Sequence, residues 1–235
     1  MADRQTIAPS QVKRSNQAAW SGRARLYQEH HGQMSVEAVG PLLNAVDLAE
    51  GGASPGGEFR LLDVGTGPGF GAGEAVRRSA WTVGLDLAPA MVTLAAGNVP
   101  GAAFVQADGE NLPLADGAAT VVTCGFALRN FVSLEVAFDE MARVLEPGGR
   151  LAILEVDRPR FALARFGHAV YFDRVVPKLG ALLSDRKAYA YLPQSTAYLP
   201  EPAELSALLE KAGFGHLRKR SFLLGSAQLL TGERG

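Results

Sequence analysis

Three glycines that follow a short apolar run are the part of this sequence whose residue types and spacing most strongly indicate chemistry. The run, residues 61–64, is interpreted as a strand that contains one aspartate, and it is followed by glycines at positions 65, 67 and 69. A helix is predicted at 72–78. A strand that ends at glycines and leads into a helix is typical of the first turn of a doubly wound α/β sheet, where the backbone must approach a ligand closely. We therefore expect a ligand site at this turn.

The spacing of the glycines distinguishes between two kinds of ligand. Dinucleotide-binding folds use G-x-G-x-x-G, with the helix N-terminus facing a pyrophosphate. Here the third position of that pattern is Phe70, which would crowd the contact between helix and strand. The observed G-x-G-x-G, preceded by Asp63, is instead the pattern of enzymes that bind S-adenosylmethionine. That cofactor carries no phosphate, but it has an amino-acid end, a sulfonium and a ribose.

Acidic residues at the ends of neighbouring predicted strands fit this second ligand. Asp86 ends a strand at 81–86, about twenty residues beyond the glycines, and is positioned to accept hydrogen bonds from both ribose hydroxyls, although this feature alone would also suit NAD. Asp108 follows a strand at 102–106 and can accept from an adenine amino group, while Asp63 lies near the aminoacyl end. Three carboxylates match a cationic sulfonium better than a polyphosphate. Each aspartate could instead be a helix cap or turn residue.

The elements that must position these residues alternate between strand and helix. Further strands are predicted at 119–124 and 150–156, and helices at 88–96 and 134–145. Such alternation indicates an α/β fold with a Rossmann-like, doubly wound, mostly parallel sheet. The apolar spacing also predicts a helix at 36–49 before the first strand, and the residues at 13–35 suggest one or two loosely amphipathic helices before it.

We interpret residues 1–235 as a single domain. It divides into N-terminal helices at 13–50, a cofactor-binding core at 59–157, a lid or acceptor insertion at 158–200, and a C-terminal helix and strands at 201–235. The insertion is aromatic and too long for an ordinary connection, so we expect it to cover the ligand edge of the sheet. The last two strands, at 217–224 and 227–231, are expected to form a hairpin.

Composition excludes several classes of protein. A formal net charge of −1 over 235 residues gives no reason to expect a nucleic-acid partner. The single Cys124 excludes an internal disulfide and is consistent with a reducing compartment. No apolar run approaches the roughly 18 residues of a spanning helix, so we expect a cytoplasmic protein. His30 and His31 are adjacent and would point to different sides of a helix, so no metal site is expected.

Four segments resemble the successive motifs of class I methyltransferases, namely 63–69, 84–91, 106–113 and 143–151. More specifically, 125–130, 154–159, 176–180 and 189–195 resemble the C-methyltransferases of menaquinone and ubiquinone biosynthesis. The resemblance covers roughly 59–214. It implies a seven-stranded sheet whose last strand is antiparallel, S-adenosylmethionine as the cofactor and S-adenosylhomocysteine as the product.

Carried onto this sequence, the resemblance implies cofactor contacts at Thr66, Asp86, Asp108 and Gly109. Gly125 stands where the family has a serine, so that hydroxyl contact is absent, and the family's N-terminal lead-in is not recognisable in 18–31. Together with the residues derived above, the expected cofactor-binding set is Asp63, Gly65, Thr66, Gly67, Gly69, Asp86, Leu87, Asp108, Gly109 and Gly125.

The acceptor chemistry implied by the resemblance is methylation of a ring carbon in a reduced isoprenoid quinone precursor. A quinol carbon becomes nucleophilic when a neighbouring hydroxyl loses its proton, so a base or a cation near the oxygen is useful. We expect Arg129 to stabilise that oxyanion and Asn130 to orient the hydroxyl. The alternative is that Arg129 caps a helix or pairs with Glu155.

Three other functions remain open at the level of sequence. They are methylation of another small molecule or secondary metabolite, NAD-dependent oxidoreduction, and a non-catalytic cofactor-binding role. The expected acceptor is hydrophobic and, in the leading interpretation, prenylated. Peripheral membrane contact through the lid and a homodimer are both compatible with the sequence.

Overall fold

The structure, a computed structural model, describes residues 8–48, 59–157, 199–222, 225 and 227–235, without the side chains of 30–38. The helices are α1 (Pro9–Asn44), α2 (Phe70–Arg77), α3 (Pro89–Asn98), α4 (Leu134–Val144) and α5 (Pro202–Lys211), with a 3-10 turn at Leu128–Asn130. The strands are β1 (Arg60–Val64), β2 (Trp81–Asp86), β3 (Ala103–Gln106), β4 (Ala119–Gly125), β5 (Leu145–Val156), β6 (Phe214–Phe222) and β7 (Ala227–Arg234).

The strands form one seven-stranded sheet in the order β3-β2-β1-β4-β5-β7-β6. The pairs β1–β2, β1–β4, β2–β3 and β4–β5 are parallel, whereas β7 is antiparallel to both of its neighbours. The predicted fold class, including the antiparallel last strand and the terminal hairpin, is thus confirmed. The strand order reverses at β1 and β4, and in open α/β sheets this switch point is where ligands bind.

The central strands are buried on both faces. Leu62 and Val122 on one face, and Leu61 and Val121 on the other, are at most 1% exposed. This explains why these strands are continuous apolar runs, as is usual for parallel sheets covered by helices. On one side the apolar stripe of α4 packs on the sheet, and Ser133 begins that helix by accepting a hydrogen bond from the Val136 N–H.

Three predicted boundaries are wrong, one of them that of the strand predicted at 217–224, which is β6 at Phe214–Phe222. The predicted helices at 13–35 and 36–49 are one continuous helix, α1, with Pro41 in its last turn and no interruption near residue 35. Strand β5 begins at Leu145, directly after α4, and not at Arg150. Leu145 pairs with Ala119 and Arg150 with Val121, so the intervening Pro-Gly-Gly bulges out of the sheet, which the sequence pattern suggested was a loop.

Several predictions fall outside the described residues. Most of the predicted lid, at 158–198, is among them, as are the side chains of His30 and His31. Within the part of the chain that is described, no helix is both long and apolar enough to cross a membrane.

Candidate functional site

A cavity lies at the carboxyl edge of the parallel strands and is covered by one face of α1. We call it the main cavity. The strand ends contribute most of the predicted cofactor residues, and these come together as one wall: Gly65, Gly67, Asp86, Leu87, Asp108, Gly109 and Gly125. The topology explains this convergence, because parallel strands place their C-terminal residues at one edge of the sheet.

The glycine turn is shaped by close contacts that exclude side chains. Gly65 has a φ of 71°, and a Cβ at this position would lie 2.5 Å from the Cβ of Ala127. The N–H groups of Gly65 and Thr66 both donate to the Leu85 carbonyl at 2.9 Å, which ties the turn to β2. Gly67 also has a positive φ, of 55°, but a Cβ there would meet nothing within 4 Å. The first glycine is therefore required for packing, and the second leaves open space.

Asp86 is held by backbone donors on both sides of the turn. Its Oδ2 accepts from the Gly67 N–H at 3.0 Å and its Oδ1 from the Ala88 N–H at 2.9 Å. Burial raises the pKa of this carboxyl above its usual value, with the two N–H groups opposing the change and the charge of Asp63 adding to it. A third backbone donor, the Leu87 N–H, also opposes the rise in pKa. The carboxylate lies at the main cavity, where it can accept a hydrogen bond from a ligand hydroxyl.

Asp63 fastens the turn from beneath. The hydroxyls of Thr66 and Thr123 each donate to its carboxylate at 2.8 Å, and the Ala72 N–H also donates to it. These bonds satisfy a carboxylate that is only 4% exposed, although burial still raises its pKa. Asp63 and Thr66 line a second cavity, which shares Gly65, Gly67, Gly125 and Phe126 with the main one.

Gly69 lines neither cavity. It precedes α2 with a φ of 90°, and a Cβ there would lie 3.2–3.3 Å from Ala95 and Val99. The glycine therefore permits α2 and α3 to approach each other, so the structure gives it a packing role and does not bring it to the site.

Phe126 was not predicted from the sequence, yet it lies between the two cavities. Its φ of 56° is unusual for a residue with a side chain, and its N–H donates to the Leu154 carbonyl at 2.7 Å. Strained backbone of this kind often occurs at ligand sites. In the sequence, Phe126 is an ordinary aromatic residue after β4, and its residue type does not indicate a positive φ.

Asp108 is paired with a lysine from α1. The Lys13 ammonium lies 2.6 Å from Asp108 Oδ2 and 2.8 Å from Glu110 Oε2. Burial alone would lower the pKa of Lys13, but the hydrogen bonds to the two carboxylates outweigh it and raise the pKa. The predicted adenine acceptor is thus occupied by a side chain from the protein itself.

Helix α1 supplies lining residues that the sequence analysis missed: Lys13, Asn16, Gln17, Trp20 and Tyr27. The rings of Trp20 and Tyr27 meet edge to face at 5.7 Å. Their spacing of seven residues puts them on one face of a helix, and this was the available signal.

Asn130 lines the main cavity, but Arg129 does not. The Arg129 guanidinium turns away and donates through Nη1 to Glu155 Oε1 at 2.6 Å, in a pair whose side chains are 4% and 0% exposed. The pairing with Glu155 that the sequence left open is therefore observed. Arg129 faces a third cavity on the other side of the 3-10 turn, lined also by Ser133, Pro200 and Leu208.

Comparison with known proteins shows which family the sequence matches. Residues 46–234 match the model of the ubiE/COQ5 methyltransferase family. A protein from Roseiflexus castenholzii named demethylmenaquinone methyltransferase is 41% identical over 192 residues, which are 78% of this chain and 79% of the relative. A Geobacter sulfurreducens protein named ubiquinone/menaquinone biosynthesis C-methyltransferase UbiE is 39% identical over 75% of this chain and 72% of its own.

Solved structures of more distant proteins share the fold. A Thermotoga maritima S-adenosylmethionine-dependent methyltransferase, described as a possible histamine N-methyltransferase, aligns with a TM-score of 0.62 at 19% identity, over 92% of this chain and 99% of its own. Magnesium protoporphyrin IX methyltransferase from Synechocystis, solved with S-adenosylhomocysteine, aligns with a TM-score of 0.55 at 18% identity, over 87% and 83% of the two chains. At these identities the likeness concerns the fold.

Proposed function

The chain belongs to the ubiE/COQ5 methyltransferase family, and from this premise we propose that it transfers a methyl group from S-adenosylmethionine to a ring carbon of a reduced isoprenoid quinone precursor. It is an S-adenosylmethionine-dependent methyltransferase. The quinone acceptor is supported by relatives near 40% identity that are named for demethylmenaquinone. The observation that carries the cofactor site is the Asp86 carboxylate, which the Gly67 and Ala88 N–H groups hold at the main cavity.

In this proposal the cofactor lies along the carboxyl edge of the sheet. Asp86 accepts the two ribose hydroxyls, and Asp108 accepts the adenine amino group. The sulfur-bearing chain passes Gly65 and Gly67 toward the second cavity, where Asp63 and Thr66 lie close to the aminoacyl end. The support is the continuity of the two cavities through shared residues of the glycine turn. The carboxylates of the lining also favour a cationic sulfonium over a polyphosphate.

The chemistry is an in-line displacement at the methyl carbon. Bound S-adenosylmethionine would supply the methyl group: the acceptor ring carbon would bond to the methyl carbon as the bond from methyl to sulfur breaks, with the electron pair of that bond going to the sulfur. The ring proton that the methyl group replaces would then pass to solvent. Alignment of the two reacting atoms supplies much of the rate enhancement, because holding them together removes the entropy of their encounter.

Asn130 is the predicted acceptor-orienting residue that lies at the main cavity. Gly125 lines the same cavity and also the second one, and a Cβ at Gly125 would meet nothing within 4 Å. This open space at Gly125 suits a planar ring that must approach the methyl group. In the proposal Asn130 holds the acceptor hydroxyl so that its oxygen pushes electrons into the ring.

Arg129 was predicted to stabilise an oxyanion, but it forms a buried pair with Glu155. Glu155 cancels most of the field of the guanidinium, so Arg129 is a weak stabiliser of an oxyanion in the observed arrangement. Two atoms of the pair have no partner among the described residues, namely Arg129 Nε and Glu155 Oε2. Both atoms are buried, and Arg129 lies outside the lining of the main cavity, whereas its neighbour Asn130 is part of it. In the proposal Arg129 is therefore a positioning residue: its pair with Glu155 holds the 3-10 turn that presents Asn130 to the acceptor.

The test is turnover with S-adenosylmethionine and chemically reduced demethylmenaquinone that carries a short prenyl tail, with mass analysis of the product. We expect a gain of one methyl group in place of a ring hydrogen. The Asp86→Asn variant is expected to lose activity through weaker cofactor binding, whereas Asp139→Asn, the same change on the exposed face of α4, is not.

The outcomes separate the parts of the proposal. Methylation of other phenols or amines but not of the quinol would contradict the acceptor and leave the cofactor in place. Calorimetric binding of NAD without binding of S-adenosylhomocysteine would contradict the cofactor itself.

A further inference from the structure

Lys13 joins α1 to the adenine end of the proposed cofactor site. It lies in the second turn of α1, and its ammonium contacts Asp108 Oδ2 and Glu110 Oε2 at 2.6 and 2.8 Å. All three residues line the main cavity. Sequence analysis gave no role to Lys13 or to Glu110.

The two carboxylates are fixed by backbone groups, whereas the lysine is not. Asp108 Oδ1 accepts from the Glu110 N–H at 3.0 Å, and Glu110 Oε1 accepts from the Val132 N–H at 2.6 Å. The oxygens that contact Lys13 are the remaining ones, Asp108 Oδ2 and Glu110 Oε2. A lysine side chain has a flexible four-carbon stem and three donors, so it can give up its contact with Asp108 and keep its contact with Glu110 without movement of the helix.

We propose that Lys13 occupies the position of the cofactor's adenine amino group on Asp108, and that bound cofactor displaces it from Asp108 while its contact with Glu110 remains. The inference rests on the proposed function, since it takes S-adenosylmethionine as the ligand. Both groups are nitrogen donors, and both use the oxygen of Asp108 that is not committed to the backbone. Lys13 is thus a built-in competitor that sets cofactor affinity, and Glu110 is the partner that retains it.

Helix α1 has other contacts that keep it in place during this displacement. Asn16 Nδ2 donates to the Asn130 carbonyl at 2.9 Å. Ala24 is 3% exposed and packs with Ala88 and Met91 of the segment that begins α3. The displacement therefore needs only a change in the conformation of the Lys13 side chain. We expect it to change the dissociation constant of the cofactor.

The experiment measures the dissociation constant of S-adenosylhomocysteine by calorimetry for matched variants. Lys13→Met removes the competitor and is expected to bind up to about fivefold more tightly, the upper end of what a partly exposed ion pair contributes. The control is Lys211→Met, which removes an ion pair of the same 2.6 Å length between Lys211 and Glu135. Neither of these residues lines the main cavity. This variant is expected to bind like the unmodified protein.

Two further arms test the displacement itself. Glu110→Gln leaves an acceptor for the backbone but removes the charge that retains Lys13, so binding is expected to weaken; in the double variant with Lys13→Met it should strengthen again. An analogue that carries purine in place of adenine has no amino group for Asp108. Lys13→Met is therefore expected not to improve its binding.

The outcomes are distinguishable from those of the proposed function. If the unmodified protein does not bind S-adenosylhomocysteine, the proposed function fails. If it does bind, and Lys13→Met binds equally or more weakly, the competitor role of Lys13 is overturned while the cofactor site stands. Equal gains for the adenine and purine ligands would also overturn it.

Discussion

Replacement of Gly65 by alanine is the perturbation whose consequence the structure defines most sharply. A Cβ at Gly65 would lie 2.5 Å from the Cβ of Ala127, with the next atom of that residue, its Cα, at 4.0 Å. The clash therefore involves a single methyl group. The positive φ at this position adds a separate penalty of about 1–2 kcal/mol for any residue with a side chain.

Gly67 provides a matched comparison within the same turn. It has a similar positive φ, but an added Cβ meets nothing within 4 Å. Gly67→Ala should lose only the backbone penalty, about 1–2 kcal/mol of the free energy of unfolding. Gly65→Ala should lose about 1–3 kcal/mol more, which is typical of overpacking a filled interior.

The double variant Gly65→Ala/Ala127→Gly isolates the clash. Removing the Ala127 methyl group should recover about 1–3 kcal/mol of coupling energy in a double-mutant cycle. The assays are urea unfolding followed by circular dichroism and calorimetric titration with S-adenosylhomocysteine, since both residues line the main cavity. Equal losses for the two single variants, or additive losses in the double variant, would refute the reasoning.

Three further predictions concern charged groups. Asp86→Asn should weaken S-adenosylhomocysteine binding about tenfold or more, because charge-assisted hydrogen bonds contribute about 1.5–3 kcal/mol. Since the pKa of Asp86 is raised, the affinity of the unmodified protein for this ligand should begin to fall at a higher pH than it would with an ordinary aspartate. An affinity that stays constant down to the usual aspartate pKa would contradict this. Arg129→Met combined with Glu155→Met removes both charges of the buried pair together, so the fold should be retained while turnover falls and cofactor affinity stays; full turnover would exclude Arg129 from the mechanism. The pKa of Glu140 is lowered chiefly by its hydrogen bond to Arg143, so its stabilisation is present above the usual glutamate pKa and is lost as pH falls through the lower folded value. Because this pair is partly exposed, Glu140→Gln should reduce the free energy of unfolding by only about 0.2–1 kcal/mol at neutral pH, measured by urea unfolding. A variant that unfolds with the unmodified pH dependence would contradict this.

The sequence predicted the sheet well because its strands are distinct apolar runs that end in glycine or aspartate. The sequence-based prediction failed where residues that usually end a strand or a helix do not end it here. Pro147 and its following glycines look like a loop, yet β5 passes through them as a bulge, because Leu145 and Arg150 both pair with β4. In the same way nothing in the sequence near residue 35 indicated whether one helix or two precede the core.

The site was predictable to the extent that it follows from strand ends. Asp86 and Asp108 could be placed because parallel strands end at one edge. The contribution of α1 could not, since Lys13 lies 95 residues before Asp108 in sequence and only the tertiary fold brings them together. Arg129 was predicted at the site and does not line the main cavity. It follows a strand end as expected, but the 3-10 turn directs its side chain to Glu155, whereas the neighbouring Asn130 lines the cavity.

The central claim is that a sulfur-borne methyl donor binds at the glycine turn. A crystal structure of the protein with S-adenosylhomocysteine tests it most directly. We expect the ribose hydroxyls within hydrogen-bond distance of the Asp86 carboxylate and the sulfur close to Gly65 and Gly67. Ligand bound elsewhere on the protein, with the main cavity empty, would contradict the account.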